Sequence, residues 1–409
     1  MNKNRKTFGG VHSIALALLS ILYLSIPSIL HAQNSPDEEI TLSNLIEKHH
    51  KQFYFSDGSF TGEGWEEIIE ETKKHNNVLI GEDHFFNEIP LFVSKIAEAN
   101  SFDNFFCEID PISAKLIEKQ LKSASEAVLK SYIKEYGSTF SFFALTPELE
   151  LLEQLVAAGT KVFGTDQVVL MADRLISASL KKITNSSVAK EIYQTIEEES
   201  KISFDQFTIG KGDPYFFSSA FMDQLKQLES LDLSETEKDG IEAMKLSQRI
   251  YTERNHRLRI QLMKHNIMQE VDRIKRGKNL YKYGAIHVGK GESLLGGFDI
   301  GNVVHNIAES QFESSLHIMV VGKNGMQGGS FKGDPSKEIS PDKGPLKALS
   351  PFFEAVKGDK DWYVFDTARI LRETKKHKLK IENRTLSILI ANYDYLVIIP
   401  TVSAATFIY

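Results

Sequence analysis

Val78-Leu79-Ile80-Gly81-Glu82-Asp83-His84 is a short apolar run that stops abruptly in a glycine, two carboxylates and an imidazole. A buried strand ending in this way is where an α/β protein places chemistry, because ligands bind off the carboxyl ends of parallel strands. Glu82 and His84 are two residues apart, so an extended chain sends both side chains from one face. Two further apolar runs lie downstream, Phe105-Phe106-Cys107-Glu108-Ile109-Asp110 and Lys161-Val162-Phe163-Gly164-Thr165-Asp166. Helical spacing of apolar residues over 65–75, 91–99, 112–121 and 147–158 separates the three, with Gly159 as a C-cap. Strands alternating with helices predict βαβ repeats and an α/β fold, a mainly parallel sheet flanked by helices.

The flanks extend this reading. Residues 40–55 show helical spacing and lead into a Gly-rich turn over 57–64. From about 170 to 276 the pattern is helical without a convincing strand, which predicts a long helical insertion. Ser234 and Glu237 form a capping box, and Ile241, Met244, Ile250 and Leu258 predict one long helix running toward residue 276. Strands return at 280–288, 316–321, 362–366 and 393–399. The segment 322–351, rich in Gly, Lys, Ser, Pro and Asp, reads as a flexible loop, either a lid or a mobile surface segment.

Among 409 residues, 25% are charged and 42% hydrophobic, the range of a globular protein. The net charge of −7 supplies no basic field to attract nucleic acid, and a nucleic-acid role is set aside. Cys107 is the single cysteine, so no internal disulfide and no cysteine-based zinc or iron–sulfur site can form. Lys3, Arg5 and Lys6 precede an apolar stretch over 14–30, and Ala32 is a small residue before Gln33. This is the layout of a secretory signal peptide over 1–32, cleaved after Ala32, and it predicts a periplasmic or secreted protein. Uncleaved, the same stretch would be an N-terminal membrane anchor, the one membrane contact expected. A polar linker over 33–45 and a single α/β domain over 46–409 follow.

The strand ends form a pattern. One closes on Glu82 and His84, one on Glu108 and Asp110, one on Asp166, one on His287 and a later one on Asp366. Neighbouring strands are about 4.8 Å apart, so these groups can converge on one crevice. Asp166 and Asp366 read equally well as helix caps or turn formers. Glu108 is harder to dismiss, since the apolar run before it would otherwise bury an unpaired carboxylate. Glu82, His84, Glu108 and His287 are the candidate catalytic set. Arg249, Arg254, His256, Arg257 and Arg259 cluster on the long helical pattern, and one arginine turned toward the carboxylates would bind an anion or a developing oxyanion.

Familiar motifs fail. Gly284-Ala285-Ile286-His287-Val288-Gly289-Lys290-Gly291 comes within one residue of a phosphate-binding loop, but Gly291 stands where the Ser or Thr that holds Mg²⁺ belongs. No Gly-x-Ser-x-Gly elbow and no His-Glu-x-x-His occurs.

Val78 to His84, Glu108, Glu253-Arg254-Asn255-His256-Arg257-Leu258 and Tyr283 to Gly291 resemble, in order and in position, the erythromycin esterase-like superfamily, which also takes in the ChaN haem-binding proteins and the Tiki/TraB metalloprotease-like proteins. The resemblance implies two related βαβ halves, each giving one histidine motif to a shared cleft. It implies His84 as the base that activates water, Glu82 and Glu108 beside it, and His287 with Arg254 on the substrate carbonyl. In the Tiki-like branch, His84, Glu108 and His287 would bind a divalent metal, and Zn, Mn, Fe and Co suit such ligands equally. Gly81-Glu82-Asp83-His84 is one residue shorter than the Gly-Glu-x-x-His of esterase members, which moves the sequence toward the ChaN and Tiki-like pattern. Asn255 also stands where an acid usually follows the family arginine.

The expectation is an exported hydrolase acting on an ester, lactone or amide in a small-molecule or peptide substrate. The rival is a haem or small-ligand binding protein of the ChaN type without turnover, with Tyr281, Tyr283, His256 or His305 as candidate axial ligands.

Overall fold

The structure is a computed structural model that describes residues 40–339, 341–342 and 344–408. The expected signal peptide over 1–32, and the linker as far as residue 39, lie outside the described residues. No helix among the described residues is long and apolar enough to cross a membrane.

Among the described residues, ten strands form one mixed sheet: β1 (His50–Ser56), β2 (Ser59–Thr61), β3 (Asn77–Glu82), β4 (Asn104–Cys107), β5 (Lys161–Gly164), β6 (Asn279–Gly284), β7 (Ser315–Gln327), β8 (Lys337–Glu338), β9 (Trp362–Asp366) and β10 (Tyr395–Val402). The order across the sheet is β2-β1-β9-β10-β7-β3-β6-β4-β5, with β8 paired to the end of β7. From β10 to β5 every pairing is parallel. β9, β1 and β2 add an antiparallel flank. β3 and β6 are direct neighbours, with Glu82 opposite Gly284, so the two histidine motifs emerge side by side.

Both faces of the parallel part are covered, which is why these strands read as nearly continuous apolar runs. Val78 and Ile80 of β3, Ile318 and Val320 of β7, and Val397 and Ile399 of β10 pack into one core. Leu79, Met319, Val321, Leu396 and Ile398 alternate into the other. Each such side chain, fully buried, is worth about 1.5–3 kcal/mol. A third, separate core lies within the helical insertion, where Ile176, Tyr193, Phe221, Leu225 and Met244 interlock.

Three expectations change. Residues 40–55 are not one helix: Leu42–Lys48 is helical, then β1 and β2 form a hairpin against β9. His50 packs its ring beside Tyr363 and Phe365, Phe53 lies opposite Trp362 and Phe55 opposite Phe60, ring-bearing residues that fit a pleated surface. The long helix is broken. Glu235–Thr252 stops, Arg254 takes a left-handed φ of 49°, and His256–Gln269 restarts with Asn255 as its cap. The capping box of Ser234 and Glu237 is present as expected. The segment 322–351 is only partly a loop, since β7 continues to Gln327 and Ser350–Ala355 is helical.

Candidate active site

Glu82 is the last residue of β3 and shares the face of Val78 and Ile80, but it lies at the strand end, where partners replace apolar packing. The chain turns there, and His84 Nδ1 lies 2.8 Å from Glu82 Oε1. With Glu82 ionised, Nδ1 is the donor and Nε2 is left without a proton in the neutral ring. The imidazole stacks on Phe142, centroids 4.6 Å apart, which fixes its plane. Burial alone would lower the pKa of His84, but the hydrogen bond to Glu82 and the charge of Glu108 outweigh it and hold the value above 6.5.

Glu108 follows β4 and lies at the centre. Its Oε2 accepts from the Gly284 N–H at 2.7 Å, and its Oε1 accepts from Arg259 Nη2 at 2.7 Å. His84 Nε2 is 3.7 Å from Oε2, and His287 Nε2 is 3.6 Å from Oε1. Both imidazoles thus stand just beyond hydrogen-bond length from one buried carboxylate. Burial would raise the Glu108 pKa, but the charges of His287, His84 and Arg259 reverse this and hold it at about 2.

His287 is placed by the short helical turn after β6. Its Nδ1 lies 2.9 Å from Asp299 Oδ2, and Asp299 Oδ1 accepts from the Ile300 N–H to cap the helix Ile300–Glu309. The His287 pKa is raised: burial opposes the shift, and Glu108 and Asp299 overcome it. Arg259 also holds Asp166, with Nε 2.9 Å from Oδ1 and Nη2 2.5 Å from Oδ2. A cavity of about 200 Å³ opens over Glu108, Asp166, Arg259, Phe142 and Tyr251. A larger hollow of about 610 Å³ lies at the opposite edge of the sheet, around the start of β10, away from these groups.

The structure brings Glu82, His84, Glu108 and His287 together and leaves Arg254 out. Arg254 is exposed at the helix break, and that break turns Arg259, five residues on, toward the carboxylates. One arginine of the basic cluster does reach the crevice, but it is Arg259. Asp166, which read equally well as a cap, is its partner. Tyr281 and Tyr283 are buried, hydrogen-bonded to Asn77 and Thr165, and do not open on the crevice as axial ligands would. His305 is held by Ser315, while His256 sits beside His287 at a ring distance of 5.8 Å.

Lys282, Glu148 and Asp299 were not singled out by the sequence. Lys282 Nζ lies 2.6 Å from Glu82 Oε2 and 2.7 Å from Glu148 Oε1. A lysine inside an apolar strand pattern was the available signal, since it requires a buried partner. Asp299 carries no comparable signal.

The donor set His84, Glu108 and His287 does not suit a metal ion. Both oxygens of Glu108 already accept hydrogen bonds, one of them from a guanidinium whose charge would repel a cation. Among the described residues no group of three His, Cys, Asp or Glu side chains is placed to hold one.

Gly284 is required by this packing. A Cβ there would lie 2.8 Å from His84 Nε2 and 3.5 Å from Glu108 Oε2. Gly284→Ala should push the imidazole out of place and, on any substrate the protein turns over, lower kcat/KM about 10- to 100-fold, the scale of a small misplacement within a site. Circular dichroism should show an unchanged fold, and a rate within twofold of the parent would refute the argument.

No protein-family model matches the chain, and no curated protein is similar to it in sequence. Solved structures are similar to it. A histidine variant of the erythromycin esterase EreC in its open conformation matches at a TM-score of 0.58 and 14% identity, over 88% of this chain and 99% of that one. A Bacillus cereus protein matches at 0.55 and 14% identity, over 90% and 98%. A succinoglycan biosynthesis protein matches at 0.53 and 11% identity, also over 90% and 98%. In fold, this chain is an α/β protein similar to these three structures.

Proposed function

We propose that this protein is a hydrolase in which His84 activates water against an ester, lactone or amide. The observation that carries this reading is the pair of carboxylate-backed imidazoles, Glu82–His84 and Asp299–His287, whose Nε2 atoms flank Glu108 beside a cavity. Neutral His84 accepts a proton from water at Nε2, and the oxygen attacks the carbonyl carbon. The Arg259 guanidinium, anchored by Asp166 and Glu108, faces the oxyanion. His287, protonated between Glu108 and Asp299, gives its Nε2 proton to the leaving oxygen or nitrogen as that bond breaks. The fold shared with EreC supports a hydrolase. The mechanism routes no step through a metal or haem.

The test is a panel of esters, lactones and amides offered to the purified protein, followed by a pH–rate profile on any substrate turned over. Because His84 must be neutral to act and its pKa is held above 6.5, kcat/KM should fall as pH drops through that raised value. An acid limb centred below 6.5 would remove His84 from the role of base. A folded His84→Asn variant that turns substrate over within tenfold of the parent rate would remove the proposal altogether.

A further inference from the structure

Lys282 is buried to 5% exposure on β6, on the sheet face where Leu280 and the neighbouring Val78 and Ile80 form an apolar core. Glu148, equally buried, enters from the first turn of the helix Thr146–Ala157, whose Leu149, Leu151, Leu152 and Leu155 join the same core. Together with Glu82 these make a buried triad of charges. Such a triad is poor evidence for stability, since well-packed apolar residues in its place are often as stable or more so. Its geometry gives it another use. Glu82 has two oxygens: Oε1 meets His84 Nδ1 at 2.8 Å, and Oε2 meets Lys282 Nζ at 2.6 Å. The second contact holds the carboxylate in the orientation that the first requires.

We propose that Lys282, braced by Glu148, is a positioning residue that keeps Glu82 an oriented anion, so that His84 carries its proton on Nδ1 and presents a bare Nε2 to the reaction. This rests on the assignment of His84 as the base. Without the ammonium, Glu82 and Glu148 would be two close carboxylates in a dry site, and such pairs share a proton. A protonated Glu82 can donate as well as accept, and it no longer dictates the tautomer of His84.

The test is ¹⁵N NMR of the histidine rings in the full chain, whose ring-nitrogen shifts report the tautomer without any turnover. The parent should show neutral His84 with its proton on Nδ1. Lys282→Met should lose that single tautomer, and on any substrate found its kcat should fall at least about tenfold with KM within about twofold, since only orientation is changed. If Lys282→Met does not fold, Lys282→Met/Glu148→Leu removes the stranded charge and decides the matter by the same two measurements. A parent spectrum with the proton on Nε2, or an unchanged tautomer and kcat in either folded variant, overturns the proposal. An Nδ1–H tautomer that depends on Lys282 in a protein that hydrolyses nothing would keep the positioning role and defeat the hydrolase reading.

Discussion

His84→Asn should lower kcat/KM by about 10²- to 10⁴-fold, the usual contribution of a positioned general base, while leaving the fold and its stability close to the parent. Asparagine is chosen because its side-chain amide can occupy the place of Nδ1–H and donate to Glu82, whose other oxygen stays on Lys282. The buried carboxylate therefore keeps both partners, and what disappears is the Nε2 proposed to take the proton. The face of Phe142 loses its stacked ring, a contribution of about 0.5–1.5 kcal/mol. Thermal unfolding measured alongside the kinetics separates the two effects. A rate within tenfold of the parent, in a folded variant, would show that His84 is not the base.

Glu108→Ala should be strongly destabilising, by about 3–5 kcal/mol, the cost of breaking a buried ion pair from one side. It strands Arg259 with Asp166 alone, leaves the Gly284 N–H without its acceptor, and removes the carboxylate that faces both imidazoles. Glu108→Gln keeps an oxygen for Gly284 and should cost less. Its cost should also depend on pH. The pKa of Glu108 is depressed from an ordinary 4.5 to about 2, so its stabilising contribution is fully present above pH 4.5 and is lost as pH falls toward 2. Chemical denaturation of parent and Glu108→Gln should accordingly give a difference that is full at pH 7 and shrinks near pH 3. A difference that stays constant, or grows toward acid, would mean that Glu108 is not held as an anion by its neighbours.

Much of the site was legible because it lies at the ends of strands. An apolar run must stop where it meets a polar group, so Glu82, His84, Glu108 and His287 announce themselves by interrupting or closing such runs. Parallel pairing then brings them together, since every strand between β10 and β5 ends at the same edge. The first hairpin was less legible. His50 to Phe55 carries apolar residues at intervals compatible with a helix or a half-covered strand, and pairing with β9 decided for the strand.

The choice of arginine shows the same division. Composition and spacing in 249–259 establish that a cationic stretch lies next to the core and that its members differ in facing. They do not say which one faces inward, because that depends on helical phase, and the phase is reset at Arg254 by one residue with positive φ. Asp299 and Glu148 are further from sequence reading still, being a helix cap and a first-turn glutamate until folding sets them against His287 and Lys282.

By itself, the sequence determined the alternation of strands and helices, the histidines and carboxylates at strand ends, and the absence of a disulfide or cysteine-based metal framework. Only the tertiary structure decided that Arg259 rather than Arg254 closes the site, that Glu82 is anchored by a buried lysine, and that Glu108 is shared by two imidazoles. The physical reason is range. Strand and helix patterns follow from side-chain periodicity over a few residues, whereas the charge partners lie from 12 to 200 positions apart and are chosen by which faces the packed core brings into contact.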